Sequence, residues 1–213
     1  MKRIYLDNAA TTAVDEAVLA EMLPYFTEHY GNPSSVYGFA SANKEVIAVQ
    51  RERIAGALGA AANEIYFTAG GSESDNWALV ATAEAYCAKG KHIITSRIEH
   101  HAILHTCEYL ERHGFEVTYL DVDENGVVKL EELKKAIRPT TILISIMFAN
   151  NEIGTIQPIR AIGEIAREHG ILFHTDAVQA YGHLPIHVDE FHIDMMSASG
   201  HKINGPKGVG FLY

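Results

Sequence analysis

Residues 64–72 read Glu-Ile-Tyr-Phe-Thr-Ala-Gly-Gly-Ser. The β-branched and aromatic run predicts a strand over 64–68, and the two glycines turn the chain. Ser72 with Asp75 three residues on resembles a capping box, opening a helix through Trp77, Leu79 and Val80 toward Cys87. This strand, glycine turn and helix sets the pattern for the chain on either side. Upstream, Ile47, Ile54 and Leu58 share one face of a helix over 45–58 that ends at Gly59. Downstream, strands over 92–96, 116–120, 141–148, 172–175, 194–197 and 209–213 alternate with helices over 101–113, 130–137 and 160–169. Seven strands joined mostly by helices imply an α/β fold, a three-layer αβα sandwich around a mainly parallel seven-stranded sheet. Its ligand would sit at the carboxyl ends of the strands. The first forty residues are polar and turn-rich around Gly31-Asn32-Pro33-Ser34-Ser35 and read as an arm rather than a core element.

The 213 residues carry 17 Lys and Arg against 27 Asp and Glu, a net charge of −10 with histidine neutral. A surface that releases counterions from phosphates needs the opposite balance, so no direct nucleic-acid partner is expected. The 47% hydrophobic and 21% charged content is that of a chain able to bury a core. The opening MKRIYLDNAATT places Asp7 and polar residues where a signal peptide needs an apolar run. The longest apolar stretch, 142–149, is broken by Ser145 and too short for a bilayer, so no membrane association is expected. Cys87 and Cys107 lie far apart without zinc-site spacing, which fits a reducing, cytoplasmic setting and structural thiols. His101 and His105, four apart on a helix, lack a carboxylate placed to complete a metal site, and none is assigned.

Three strand ends carry polar residues that a packed core would not select. Gly70-Gly71-Ser72 at a helix start offers free N–H groups, a hydroxyl and the positive end of the helix dipole, suited to a phosphate or carboxylate. A glycine turn is also common for conformational reasons alone, and the GxxxxGK[ST] pattern is missing. His174-Thr175-Asp176-Ala177-Val178-Gln179 puts a carboxylate at the sheet rim, where an aspartate also serves as a cap. Ser199-Gly200-His201-Lys202 places a lysine between a strand and a glycine-rich turn, solvated unless a carbonyl compound captures it as a Schiff base. An anion site, an acid for a ring nitrogen and an imine-forming lysine are together what pyridoxal phosphate requires.

Seven motifs in fixed order carry a resemblance over the whole chain: YLDNAATT at 5–12, GNPSS at 31–35, FTAGGSESDN at 67–76, EHHAIL at 99–104, NNEIGTIQPI at 150–159, HTDAVQ at 174–179 and SGHKINGPKGVG at 199–210. With them the chain resembles the cysteine desulfurases of the NifS and IscS type, in the class V aminotransferase group of fold-type I pyridoxal-phosphate enzymes. The resemblance implies pyridoxal 5'-phosphate as cofactor, with Lys202 as Schiff-base lysine and Asp176 on the pyridinium nitrogen. Gln179 would bond the phenolic oxygen, and His100 would stack on the ring as an acid/base. Gly71, Ser72, Ser199 and His201 would hold the phosphate, and Asn151 would place the substrate.

The implied reaction converts L-cysteine to L-alanine, with sulfur passing through an enzyme persulfide to an acceptor or scaffold protein. The NNEIG and GPKG forms favour the branch serving iron–sulfur assembly and tRNA thiolation. A homodimer is implied because the family's active sites lie at a subunit interface. The resemblance assigns 1–15 to an arm belonging with the small domain and 16–213 to the cofactor-binding large domain. Family members continue into the small domain, a loop with the nucleophilic cysteine and a substrate-binding arginine, so these residues read as the N-terminal part of such an enzyme. The alternatives are a cofactor-binding half or interaction module without desulfurase activity, or a related selenocysteine lyase or aminotransferase. Tyr37 and Ala40 stand where many members have histidine and glycine near the active-site entrance, which implies altered access or dimer contacts.

Overall fold

A computed structural model describes residues 4–213. Its sheet comprises β1 (Tyr66–Thr68), β2 (His92–Ser96), β3 (Glu116–Leu120), β4 (Thr141–Ser145), β5 (Leu172–Asp176), β6 (Met195–Ser199) and β7 (Gly210–Leu212), in the order β1-β7-β6-β5-β4-β2-β3. Only β7 runs against the rest, antiparallel to both β1 and β6. The other pairings join β2 to β3 and β4, β4 to β5, and β5 to β6, all parallel. The mainly parallel seven-stranded sheet expected from the alternation is therefore present.

Helices cover both faces because the strands are apolar on both. α4 (Gly71–Tyr86) and α5 (His101–Arg112) pack Ala78, Leu79, Ile103 and Cys107 against Ile93 and Leu143 on one side. On the other, α6 (Leu130–Ala136), α7 (Ile159–Glu168) and the end of α3 (Gly38–Leu58) bring Leu133, Ile162 and Leu58 to Ile94, Ile144 and Phe173. The consecutive pairs Ile93/Ile94 and Leu143/Ile144 split between the layers, as strand alternation requires. β2 and β4 are buried at every position.

The first forty residues, read as an arm rather than a core element, carry regular structure among the described residues. α1 (Glu16–Met22) and α2 (Pro24–Thr27) form within them, and α3 begins at Gly38, seven residues before the expected start. α1 buries none of its residues, so no apolar stripe marks it; Asp15 starts it by accepting from Ala17 N at 2.8 Å. α2 carries proline in its first turn. α3 ends as expected at Gly59, left-handed at φ 72°.

Smaller differences have local causes. β4 stops at Ser145, but Ile146 N and Phe148 N still donate to the His174 and Asp176 carbonyls, so the chain follows β5 beyond the regular ladder. Residues 62–64 form a 3-10 turn in which Glu64 accepts from Ala61 N at 2.8 Å, delaying β1 to Tyr66. Trp77 is 44% exposed, its ring edge-on to Tyr66 at 5.5 Å rather than in the core.

Candidate active site

The carboxyl ends of the parallel strands meet at one cavity of about 480 Å³. All nine residues assigned from the resemblance line it: Gly71, Ser72, His100, Asn151, Asp176, Gln179, Ser199, His201 and Lys202. The sequence spreads them over five loops, and the sheet brings them together. Tyr37 and Ala40 do not line it. Tyr37 precedes α3, exposed, and Ala40 is fully buried beside Gly31.

The anion end is made by backbone geometry. Gly70 sits at φ 151°, ψ −177°, a region essentially closed to side-chain-bearing residues, and this turns β1 directly into α4. A Cβ on Gly71 would lie 2.5 Å from Val178 Cγ2, so only glycine lets the helix start approach the turn after β5. The 16-residue α4 thus aims its N-terminal N–H groups into the cavity. The expected Ser72/Asp75 capping box is not formed: Gly70 is the cap residue, Glu73 accepts from Ala69 N, and Asp75 turns inward to 1% exposure.

Asp176 closes the opposite end, 5% exposed, with Oδ1 accepting from Val178 N at 2.9 Å. Burial raises its pKa, opposed by that N–H and by the nearby His100 and Lys202. Lys202 follows β6, and burial lowers its pKa against the pull of Asp176 and Asp7, so its amine gives up a proton more readily than a solvated lysine. Its Nζ donates to the Ala9 and Ala10 carbonyls at 2.5 and 2.8 Å, and Gln179 Nε2 donates to Ala9 O at 2.9 Å. His201 Nδ1 lies 3.1 Å from Thr11 Oγ1, and burial with nearby Lys202 and Lys207 lowers its pKa. Residues 9–11 of the arm therefore form a wall of the site, a part to which the sequence reading gave no role.

His100 caps α5, its Nδ1 accepting from Ala102 N at 3.1 Å, which leaves Nε2 for the cavity. Asn151 Nδ2 donates to Glu152 Oε1 at 2.8 Å. Two buried acids lie beneath these groups: Asp75, whose spacing from Ser72 predicts a cap, and Glu99, the first residue of the EHHAIL motif. Burial pushes Glu99 up to about 8, and holds Asp75, with the Asp176 carboxylate nearby, well above the usual carboxylate range.

Neither cysteine reaches the cavity. Cys87 ends α4 in solvent, and Cys107 is fully buried in α5 with its pKa pushed up to about 12 by burial. The His101 and His105 rings stack at 5.1 Å, and no group of three or more metal-binding side chains occurs among the described residues.

A half-buried amine, a buried carboxylate and an anion-binding helix start, facing one cavity at the carboxyl edge of a parallel sheet, define a pyridoxal-phosphate-binding protein of the aminotransferase kind. The model of the "Aminotransferase class-V" family matches residues 4–213, and the chain belongs to that family. Pyridoxal 5'-phosphate is its cofactor, and the donor set fits: one cavity brings together a glycine cradle at a helix start, a buried carboxylate and a lysine amine.

"Cysteine desulfurase IscS" of Methanosarcina thermophila is 62% identical over 212 residues, covering 100% of this chain and 52% of the relative. The protein of the same name from Clostridium botulinum (strain Kyoto / Type A2) is 58% identical, covering 100% and 53%. Among solved structures, one described as "SspA in complex with cysteine" matches with TM-score 0.97 at 47% identity, over 99% of this chain and 61% of that one. A "NIFS-LIKE PROTEIN" matches with TM-score 0.97 at 45% identity, over 100% and 59%. The chain spans about half the length of the curated relatives it matches.

Proposed function

We propose that this chain is the cofactor-binding part of a cysteine desulfurase that converts L-cysteine to L-alanine. The observation that carries the reading is the convergence of Lys202, Asp176, His100 and the α4 start on one cavity, in a chain 62% identical to a relative of that name. Residues 16–213 form the large domain and 1–15 the arm, whose first three residues lie outside the described residues.

When bound, pyridoxal phosphate supplies an electron-withdrawing ring that weakens the bonds at the substrate's Cα. Lys202 Nζ would hold the cofactor's aldehyde and carry the proton at Cα, tasks helped by an amine whose proton is loosely held. Asp176 would keep the ring nitrogen protonated. Gln179 Nε2 would donate to the phenolic oxygen, and His100 would stack on the ring with Nε2 available as an acid or base. Gly71, Ser72, Ser199 and His201 would hold the phosphate, while Asn151 would orient the amino-acid end of the substrate. The sulfur passes through a thiol elsewhere in the protein to an acceptor or scaffold serving iron–sulfur assembly or thiolation. A homodimer in the cytoplasm completes the reading. No helix is long and apolar enough to cross a membrane among the described residues.

Visible absorbance of the loaded protein tests the site, and alanine released from L-cysteine by the full-length protein tests the activity. Lys202→Ala removes both; a variant that keeps the wild-type spectrum or still forms alanine overturns the assignment. The placement of both cysteines away from the cavity favours a second reading, in which this chain alone loads cofactor without desulfurating. Cofactor absorbance without sulfide or alanine from the isolated chain distinguishes it.

A further inference from the structure

The floor of the cavity holds more carboxylate than one ring cation balances. Asp75 lines the cavity from α4, and its Oδ1 has no hydrogen-bond partner among the described residues. The basic atom beside it, His174 Nε2, stands 3.7 Å away, and that imidazole is already engaged on both sides. Its Nδ1 meets Ser145 Oγ at 2.9 Å and its Nε2 meets Ser197 Oγ at 3.0 Å. Complete burial keeps the ring neutral, pushing His174 down to about 3. His174 therefore supplies no positive charge to Asp75.

The groups facing Asp75 from the surrounding elements deepen the imbalance. β5 contributes Asp176 and His174, the turn before α5 contributes Glu99 and His100, and the turn after β6 contributes His201 and Lys202. β6 offers the Ser197 hydroxyl, which eases the charge on Asp75 without outweighing its burial. Lys202 is the one ammonium among these groups, and its contacts go to the arm carbonyls. Two carboxylates buried in one floor, with so little positive charge, do not both ionise at neutral pH.

We propose that Asp75 and Asp176 form a pair that holds one proton on Asp75, making Asp75 a positioning residue that leaves Asp176 as the single carboxylate presented to the ring cation. The inference rests on the reading that Asp176 faces the cofactor ring, but the pair exists without cofactor. Its consequence is a floor whose charge matches one protonated ring at neutral pH and doubles only when Asp75 ionises at higher pH.

The test is a pH titration of aspartate side-chain carboxyls by carbon-13 NMR in the cofactor-free chain, with resonances assigned through the backbone so that no variant is needed for assignment. Asp75 is expected to stay protonated at pH 7, well above the usual aspartate range of about 4. In Asp176→Asn, loss of the neighbouring charge lowers its titration by about one pH unit or more. Asp75→Asn keeps a neutral side chain and leaves the Asp176 titration in place. An Asp75 ionised at pH 7, or one indifferent to Asp176→Asn, overturns the proposal. Failure of the cofactor reading shows separately, as an unchanged absorbance in Lys202→Ala, and leaves these titrations intact.

Discussion

Replacing Glu99 by glutamine should stabilise the cofactor-free protein in alkali and leave it little changed in acid. Glu99 is 6% exposed; its Oε1 accepts from Ser96 Oγ at 2.5 Å and Met147 N at 3.0 Å, while Oε2 has no partner among the described residues. Its pKa rises on folding from 4.5 to about 8, chiefly through burial. An acid whose pKa is raised by folding contributes its full stability below the unfolded value. That contribution is lost as pH climbs through the folded value, at about 1.4 kcal/mol per unit. Over the whole interval the loss is about 5 kcal/mol, a large part of the roughly 5–15 kcal/mol of a typical domain. Glutamine retains an oxygen for Ser96 and Met147 but cannot ionise. Urea unfolding at pH 5, 7 and 9 should show the stability advantage of Glu99→Gln growing by about 4 kcal/mol across the series. Parallel pH profiles for the two proteins would refute the assignment of a buried, proton-holding Glu99.

On the acid side, His92 is fully buried between Thr141 Oγ1 at 2.7 Å and Thr118 Oγ1 at 2.8 Å, and burial lowers its pKa from 6.5 to about 4. Stability from this group is present above 6.5 and lost as pH falls through 4, so His92→Gln should flatten the acid limb of the unfolding profile by about 3 kcal/mol. Gly71→Ala forces Val178 aside; equilibrium titration should show at least about tenfold weaker pyridoxal-phosphate binding, with a stability cost of about 1–3 kcal/mol. A disulfide-exchange reagent should titrate Cys87 in the native protein and Cys107 only after unfolding, with two equal native rates contradicting the burial.

The αβα architecture was legible because its signals are local. Apolar runs such as 141–148 read as buried strands from their length, though the regular ladder stops at Ser145, and Gly59 ends α3 as a glycine should. The nine site residues were placed by motif, and spacing alone would not have gathered them. What escaped depended on contacts distant in sequence. α1 and α2 bury nothing, so they carry no periodic stripe, and the segment before them owes its place to bonds from Lys202 and Gln179. Asp75 shows the limit most clearly. Its spacing from Ser72 suggested a cap, but Gly70 starts the helix without a side-chain cap, and the second turn of α4 faces the sheet.

β7 carries a consequence for how the protein is made. Thr68 of β1 pairs with Gly210, which also pairs with Ser199 of β6, so the strand leading to the anion cradle joins the sheet only through the strand that follows the lysine turn. A chain emerging from the ribosome can assemble β2 to β5 in turn, but β1 waits until residue 212 is free to slot between it and β6. Closing so long a loop makes this the slow, non-local step of folding. Until it is complete, the two ends of the cofactor site belong to separate pieces of unfinished protein.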